Sequence, residues 1–261
     1  MKKNHLSVTL TTLLLIVYSV QGQGMTFTDK TTFLNALPGP AGVLNFDSLA
    51  GGTILSGTTL TVTGGPGTGI TFPVVDDILG NPRDKLNLIV VMDNGNNPTT
   101  SNPNSLGTDD PANYNTIVGG TVIDLGLTSP VEAFGLSFIT PDTMFNDDIR
   151  LAAGGETASL VANDRTLVGN FNGSDYYAYF LGVIGSNVFT SASIQYGPDV
   201  SGGPFLYNAD DITVAAPVIP EPDTLVLLLG GVLALLFQRD RRRSGLNRTT
   251  PDLYPLTTDV D

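Results

Sequence analysis

From Val43 onward the side chains repeat in steps of two, with Val43, Asn45 and Asp47 alternating against Leu44 and Phe46. Successive residues of an extended strand point to opposite faces, so this period sends one set inward and the other toward water. The pattern returns in short runs separated by glycine and proline. Strands are expected near residues 43–47, 59–63, 69–73, 87–92, 116–125, 131–140, 148–152, 157–161, 167–172, 176–183, 188–196 and 211–215. Short strands at nearly regular spacing with turn residues between them predict an all-β fold, a β-sandwich.

The run from Glu132 to Phe138 is the clearest of these strands. It places Phe134, Leu136 and Phe138 on one face and small residues on the other, so its large face belongs to a core. One helix is expected in this region, over 26–37, with Thr28 or Asp29 as its cap and Phe33, Leu34 and Leu37 on one side. Pro38, Gly39 and Pro40 end it. The glycine-rich run 64–69 lacks a following lysine and opens onto Ile70, Thr71 and Phe72, so it reads as a hairpin turn and not as a phosphate loop. Residues 93–115, crowded with Asn, Gly and Pro, read as a long loop. No repeat of fixed period is visible, which argues against a solenoid or propeller.

Charge and cysteine content narrow the function classes. Between Gln23 and Ile219 there are 19 acidic and 5 basic residues, a net of −14. Such a surface repels phosphate backbones, which speaks against nucleic-acid binding. Lys2 and Lys3 precede an apolar stretch over 6–20, followed by Gly22 and Gly24; this is the layout of a secretory signal peptide over 1–22, cut after Gly22 by signal peptidase. The chain has no cysteine, so the exported domain over 23–217 must be held by a core and not by disulfides.

The C-terminus carries an address. Pro220, Glu221 and Pro222 precede an uncharged run over 225–237 with seven leucines, and Arg239, Arg241, Arg242 and Arg243 follow. As a helix that run spans about 20 Å, against about 30 Å of hydrocarbon. The arginine stems lengthen it by lying in the apolar zone while their charged heads reach the lipid headgroups on the cytoplasmic side. A transmembrane helix over 225–237 is therefore expected, with a polar, disordered tail over 244–261. The two prolines cannot continue a helix and hold Glu221 extended just outside the bilayer.

Over residues 218–243 the order Pro-Glu-Pro, short Leu/Gly/Ala-rich span and arginine cluster resembles the PEP-CTERM sorting signal of bacterial exported proteins. The resemblance implies recognition by a membrane exosortase, removal of the tail, and delivery to the cell surface of a bacterium that makes exopolysaccharide. It thus implies a transient stay in the inner membrane, then residence at the surface or in the extracellular matrix. This chain departs from that family in continuing from Ser244 to Asp261 beyond its arginines. A second resemblance is broader. The segment from Phe46 to Thr53, answered by Gly69 to Phe72, looks like the opening of jelly-roll-like exported domains, as does Asp210-Asp211-Ile212 in the last strand.

Within the exported domain there is neither His nor Cys, because His5 lies in the signal peptide. Ser-His-Asp and Cys-His nucleophilic sites and the usual zinc sites are thereby excluded. Paired carboxylates could serve a glycoside hydrolase, and Asp76-Asp77, Asp109-Asp110, Asp147-Asp148 and Asp210-Asp211 are the doublets available. All four look like turn acids. Calcium is the better use of such loop carboxylates. If the jelly-roll likeness holds, the first and last strands pair and bring Asp47 toward Asp210 or Asp211, the candidate calcium ligands. Tyr176, Tyr177 and Tyr179 would stack sugars if exposed, but Tyr177 and Tyr179 share a strand face and are expected in core or edge packing. The sequence points first to a non-catalytic matrix protein associated with extracellular polysaccharide. A carbohydrate-binding module, with or without calcium, is second, and a carboxylate hydrolase third.

Overall fold

The computed structural model describes residues 23–78, 85–93, 99–101, 103–171, 173–196 and 205–217, together with 228 and 230–235. The expected signal peptide over 1–22, Pro220-Glu221-Pro222, the arginine cluster and the expected tail over 244–261 lie outside the described residues. The chain divides into two compact units, Met1–Pro217 and Val218–Asp261. Of the expected span over 225–237, residues 230–235 are helical, and no described helix is long and apolar enough to cross a membrane.

The first unit is all-β and antiparallel. Its elements are β1 (Met25–Phe27), α1 (Lys30–Ala36), β2 (Ala41–Leu44), β3 (Thr59–Thr61), β4 (Gly69–Thr71), β5 (Val74–Asp76), β6 (Lys85–Met92) and β7 (Asn104–Thr108). A 3-10 turn (Pro111–Asn113) leads to β8 (Ile117–Val118), β9 (Ile123–Thr140), β10 (Ile149–Ala153), β11 (Glu156–Ser159), β12 (Arg165–Phe171), β13 (Ser174–Tyr196) and β14 (Leu206–Ala215). The strands join in the order β11-β10-β13-β9-β14-β7-β6-β5, with β1 and β12 also on β13, β2 and β8 on β14, and the β3–β4 hairpin on β9. The hairpin is the one expected from the glycine run, whose Gly64 and Gly67 take the left-handed backbone that a side chain resists.

Two long strands carry the architecture. In β9 and β13, Leu136 lies opposite Leu181 and Phe138 opposite Tyr179. That face merges with Phe46, Phe72, Leu88, Leu106 and Leu151 into one large buried cluster. On the reverse face stand Ala133, Gly135 and Ser137 of β9 and Ala178, Phe180 and Gly182 of β13. Here α1 lies down. Asp29 caps it by accepting from Thr32 N at 2.7 Å, and Phe33 drops onto the sheet, fully buried, with its ring 5.2 Å from that of Phe180. A Cβ on Gly182 would lie 2.6 Å from Phe33 Cδ2, and one on Gly135 2.9 Å from Phe33 Cε1. The small face of the Glu132–Phe138 run is therefore a seat for a helix.

Several expectations are corrected. The helix begins at Lys30, since 25–27 pair with β13 as β1. The segments 131–140 and 116–125 do not form one strand each. The first is the far half of β9, whereas the second is split by Gly119 and Gly120 into β8 and the start of β9. The segments 176–183 and 188–196 are one strand, β13, whose ladder shifts register between Ile184 and Phe189. Pro130 sits inside β9 between Leu127, which pairs with Ile70, and Val131, which pairs with Phe189, so its missing N–H interrupts no ladder pair among the described residues. The loop expected over 93–115 contains β7 and the 3-10 turn. Asn104 accounts for this, because its Nδ2 donates to Phe46 O at 3.1 Å and to Leu49 O at 2.8 Å, tying β7 to the chain that leaves β2.

Candidate functional site

The acidic doublets separate into two kinds. Asp110 caps the 3-10 turn by accepting from Ala112 N at 3.0 Å, and Asp109 accepts from Asn87 N and Nδ2, each at 2.9 Å. Asp148 accepts from Phe145 N at 2.6 Å, Asp147 lies 3.5 Å from Arg150, and Asp76 pairs with Lys85. Asp110, Asp147 and Asp148 serve turns, as expected, whereas Asp76 lies within β5 and Asp109 is tied to Asn87 of β6. Asp210-Asp211 is the second kind. It lies in the middle of β14, between β9 and β2, in the interior of the sheet.

A bulge places both carboxylates together. Asp210 stands opposite Ser137 and Thr213 opposite Gly135, so three steps on β14 match two on β9. The extra residue is absorbed at Asp211, whose φ is 50°, a left-handed conformation that only a small fraction of non-glycine residues adopt. Asp210 is fully buried. Its Oδ2 accepts from Thr100 N at 2.9 Å and Ser101 N at 3.0 Å, and its Oδ1 from Asp211 N at 2.8 Å. Asp211 Oδ2 accepts from Lys30 Nζ at 3.1 Å. A buried acid thus fastens the segment 99–101, and its neighbour fastens α1.

Thr100 Oγ1 lies 2.9 Å from Asp210 Oδ2 and 3.0 Å from Asp211 Oδ2. A hydroxyl has one proton, so it satisfies both oxygens fully only when one carboxyl is itself protonated. The electrostatics agree. Burial first and the Asp211 charge second push Asp210 up to about 6, against the donors from Ser101 and Thr100 that favour its charged form.

Calcium does not fit this arrangement. The oxygens of Asp210 are already met by N–H and O–H donors, and an ammonium stands where a cation at Asp211 would go. Among the described residues, no group of three or more His, Asp or Glu side chains converges on a point. The early strand β2 and the last strand β14 do pair, Leu44 opposite Ile212, yet Asp47 does not join the doublet; its Oδ1 accepts from Asn104 N at 3.3 Å. Tyr179 packs in the core and Tyr177 at its edge, within the expectation of core or edge packing. Tyr179 is buried, with its phenol pushed up by burial, and Tyr177 lies half-buried under the Arg165 guanidinium, 4.0 Å from its ring centroid.

Beside the doublet, on the helix-bearing face of the sheet, a groove of about 550 Å³ runs between the start of α1 and β12. Ser137, Ala178 and Phe180 form its floor, and Thr100, which reaches both acids, and Lys30, which reaches Asp211, form one wall. The opposite wall is the turn Asn163-Asp164 and the start of β12. Thr28 Oγ1 donates to Asp164 Oδ2 at 2.6 Å and closes one end. Sequence reading missed this groove because its residues come from five separate stretches, and none stands out alone. No family model matches the chain, and no curated protein or solved structure matches it either.

Proposed function

We propose that this chain is a non-catalytic bacterial surface protein, exported by its N-terminal signal, processed by an exosortase at Pro220-Glu221-Pro222, and associated with extracellular polysaccharide. One observation carries the reading beyond the sequence motif. The last strand of the domain is complete before the motif begins: Ala215 stands opposite Ala41 of β2 and Ala133 of β9, and Ala216 N donates to Pro40 O at 3.1 Å. The unit boundary then falls between Pro217 and Val218. Cutting the chain at the motif takes no strand from the sheet and no side chain from the described core.

The finer architecture belongs to the same proposal. A jelly-roll-like sandwich is supported by the pairing of β2 with β14 and by one core that gathers Phe46, Phe72 and Leu88 from the early strands with Phe134, Leu151 and Leu181 from the later ones. Mass spectrometry of the protein recovered from the cell surface tests the processing. The expected species lacks residues 1–22 and ends near Glu221. A surface-bound species retaining Asp261 overturns the reading.

A further inference from the structure

We propose that the groove between α1 and β12 is a saccharide site, taking uncharged sugar units of a polysaccharide. This rests on the matrix reading above and gives it a contact surface. The lining argues for the ligand class by elimination and by match. Asp29 and Asp164 both line the groove, while the ammonium of Lys30 is drawn to Asp211 and the guanidinium of Arg165 to the Tyr177 ring. An anionic ligand would meet these two carboxylates, and the two cations of the lining are already engaged, one on a carboxylate and one on a ring. A divalent cation lacks a converging set of ligands among the described residues.

What remains is a ligand that both donates and accepts hydrogen bonds, as sugar hydroxyls do. Asp29 uses Oδ1 for Thr32, and Asp164 uses Oδ2 for Thr28; each keeps its other oxygen for a hydroxyl donor. Ser137, Asn163 and Thr166 side chains make no hydrogen bond among the described residues and are available in both senses. Ala178 and Val168 supply the apolar patch against which the C–H face of a pyranose rests. Three lining residues are already held by hydrogen bonds, Thr28 by Asp164 across the closed end, Lys30 by Asp211 and Thr100 by Asp210, so little ordering remains to be done on binding. The volume falls within the usual range of about 300–1,000 Å³ for small-ligand sites.

The test is affinity electrophoresis of the full chain, purified in detergent, through gels containing dextran, mannan, galactan or alginate. At least one of the three neutral polymers is expected to retard it, and alginate is not. Ala178→Trp fills the floor and is expected to weaken that retardation at least tenfold. Should Ala178→Trp fail to fold, the double variant Asn163→Ala with Thr166→Val, both exposed positions, carries the test and is expected to weaken it severalfold. Indifference to all three neutral polymers, stronger retardation by alginate, or retardation that survives both variants overturns the saccharide site. The same variants are followed in cell fractions by mass spectrometry of their C-termini. Trimmed protein at the surface with no polymer retardation leaves the sorting reading standing and removes the groove; untrimmed protein in the cell removes the sorting reading.

Discussion

Burial of the Asp210 carboxylate gives the fold a pH dependence whose sign is set by the direction of the shift. The folded group titrates near 6 against an ordinary value of 3.8, so its contribution to stability is fully present below the unfolded value and is lost as pH rises through 6. The melting temperature is expected to climb as pH falls from 7 to 4, with a contribution of up to about 3 kcal/mol from this group. Buried Asp148, also raised by burial, adds in the same direction, whereas Asp29 is lowered by its bonds from Thr32 and withdraws stability only below that window. Asp210→Asn should flatten the climb and leave the residual slope of Asp148. Its amide Oδ1 can still accept from Thr100 and Ser101, but its Nδ2 then faces the N–H of Asp211, so the variant is expected to be about 1–3 kcal/mol less stable at pH 4.5. Scanning calorimetry across pH checks both statements, and a wild-type melting temperature that falls steadily from pH 7 to 5 contradicts them. Lys30→Met keeps the apolar stem and removes the charge. Because Lys30 is 37% exposed and Asp211 only 9%, the loss is expected at about 1–2 kcal/mol in urea denaturation, less than for a fully buried pair. The doublet itself was visible in the sequence. Its meaning was not, because two adjacent acids ordinarily mark a turn, and only the bulge against Gly135 and Ser137 turns both inward within a strand.

At the scale of elements, α1 and the β9–β13 pair form one unit whose fit depends on absent side chains. Burying a phenylalanine contributes about 1.5–3 kcal/mol, and Phe33 can be buried only because Gly135 and Gly182 leave room beneath it. Gly182→Ala is expected to lift the helix from the sheet and cost about 1–3 kcal/mol. Phe33→Leu alone should cost about 1–2 kcal/mol, through lost contact area. Combined, the two should cost less than their sum, since the smaller side chain accommodates the added methyl; a double-mutant cycle in denaturant reads this coupling, and strict additivity would separate the helix from these glycines. The alternation Phe134, Leu136, Phe138 was legible because the period of a strand is visible along the chain. The partner of the small face was not legible, because α1 arrives from about 100 residues away and nothing in Ala133, Gly135 and Ser137 names what covers them. Strand continuity was misjudged for a related reason. Pro130 and Gly185 look like breaks in isolation, yet in β9 and β13 they fall where the ladder is already irregular, so the strands pass through them. Asn104 was hidden in the same way, a turn former by type that spends its amide on backbone carbonyls of another segment.

For the whole molecule, the sorting proposal requires that the domain be indifferent to the residues beyond its last strand, and the sheet sets where indifference ends. Val214 and Ala215 are fully buried, stand opposite Phe134 and Ala133 of β9 and Gly42 and Ala41 of β2, and belong to the two buried clusters. Removing them takes away apolar contacts and several ladder hydrogen bonds, and it leaves edges of β2 and β9 open to other chains. A chain stopped after Pro217 loses none of this. Two truncations therefore bracket the boundary: one ending at Pro217 is expected to melt cooperatively at the temperature of the longer chain, and one ending at Ile212 is expected to melt far lower or to aggregate. The net of −14 over 23–219 sharpens the comparison, because a self-repelling acidic domain is held compact by its core contacts and added salt should raise the melting temperature of the first truncation by screening that repulsion. If the truncation at Pro217 melts markedly lower than the longer chain at the same salt, residues after 217 contribute to the fold, and removal of the tail cannot be a release step that leaves the domain intact.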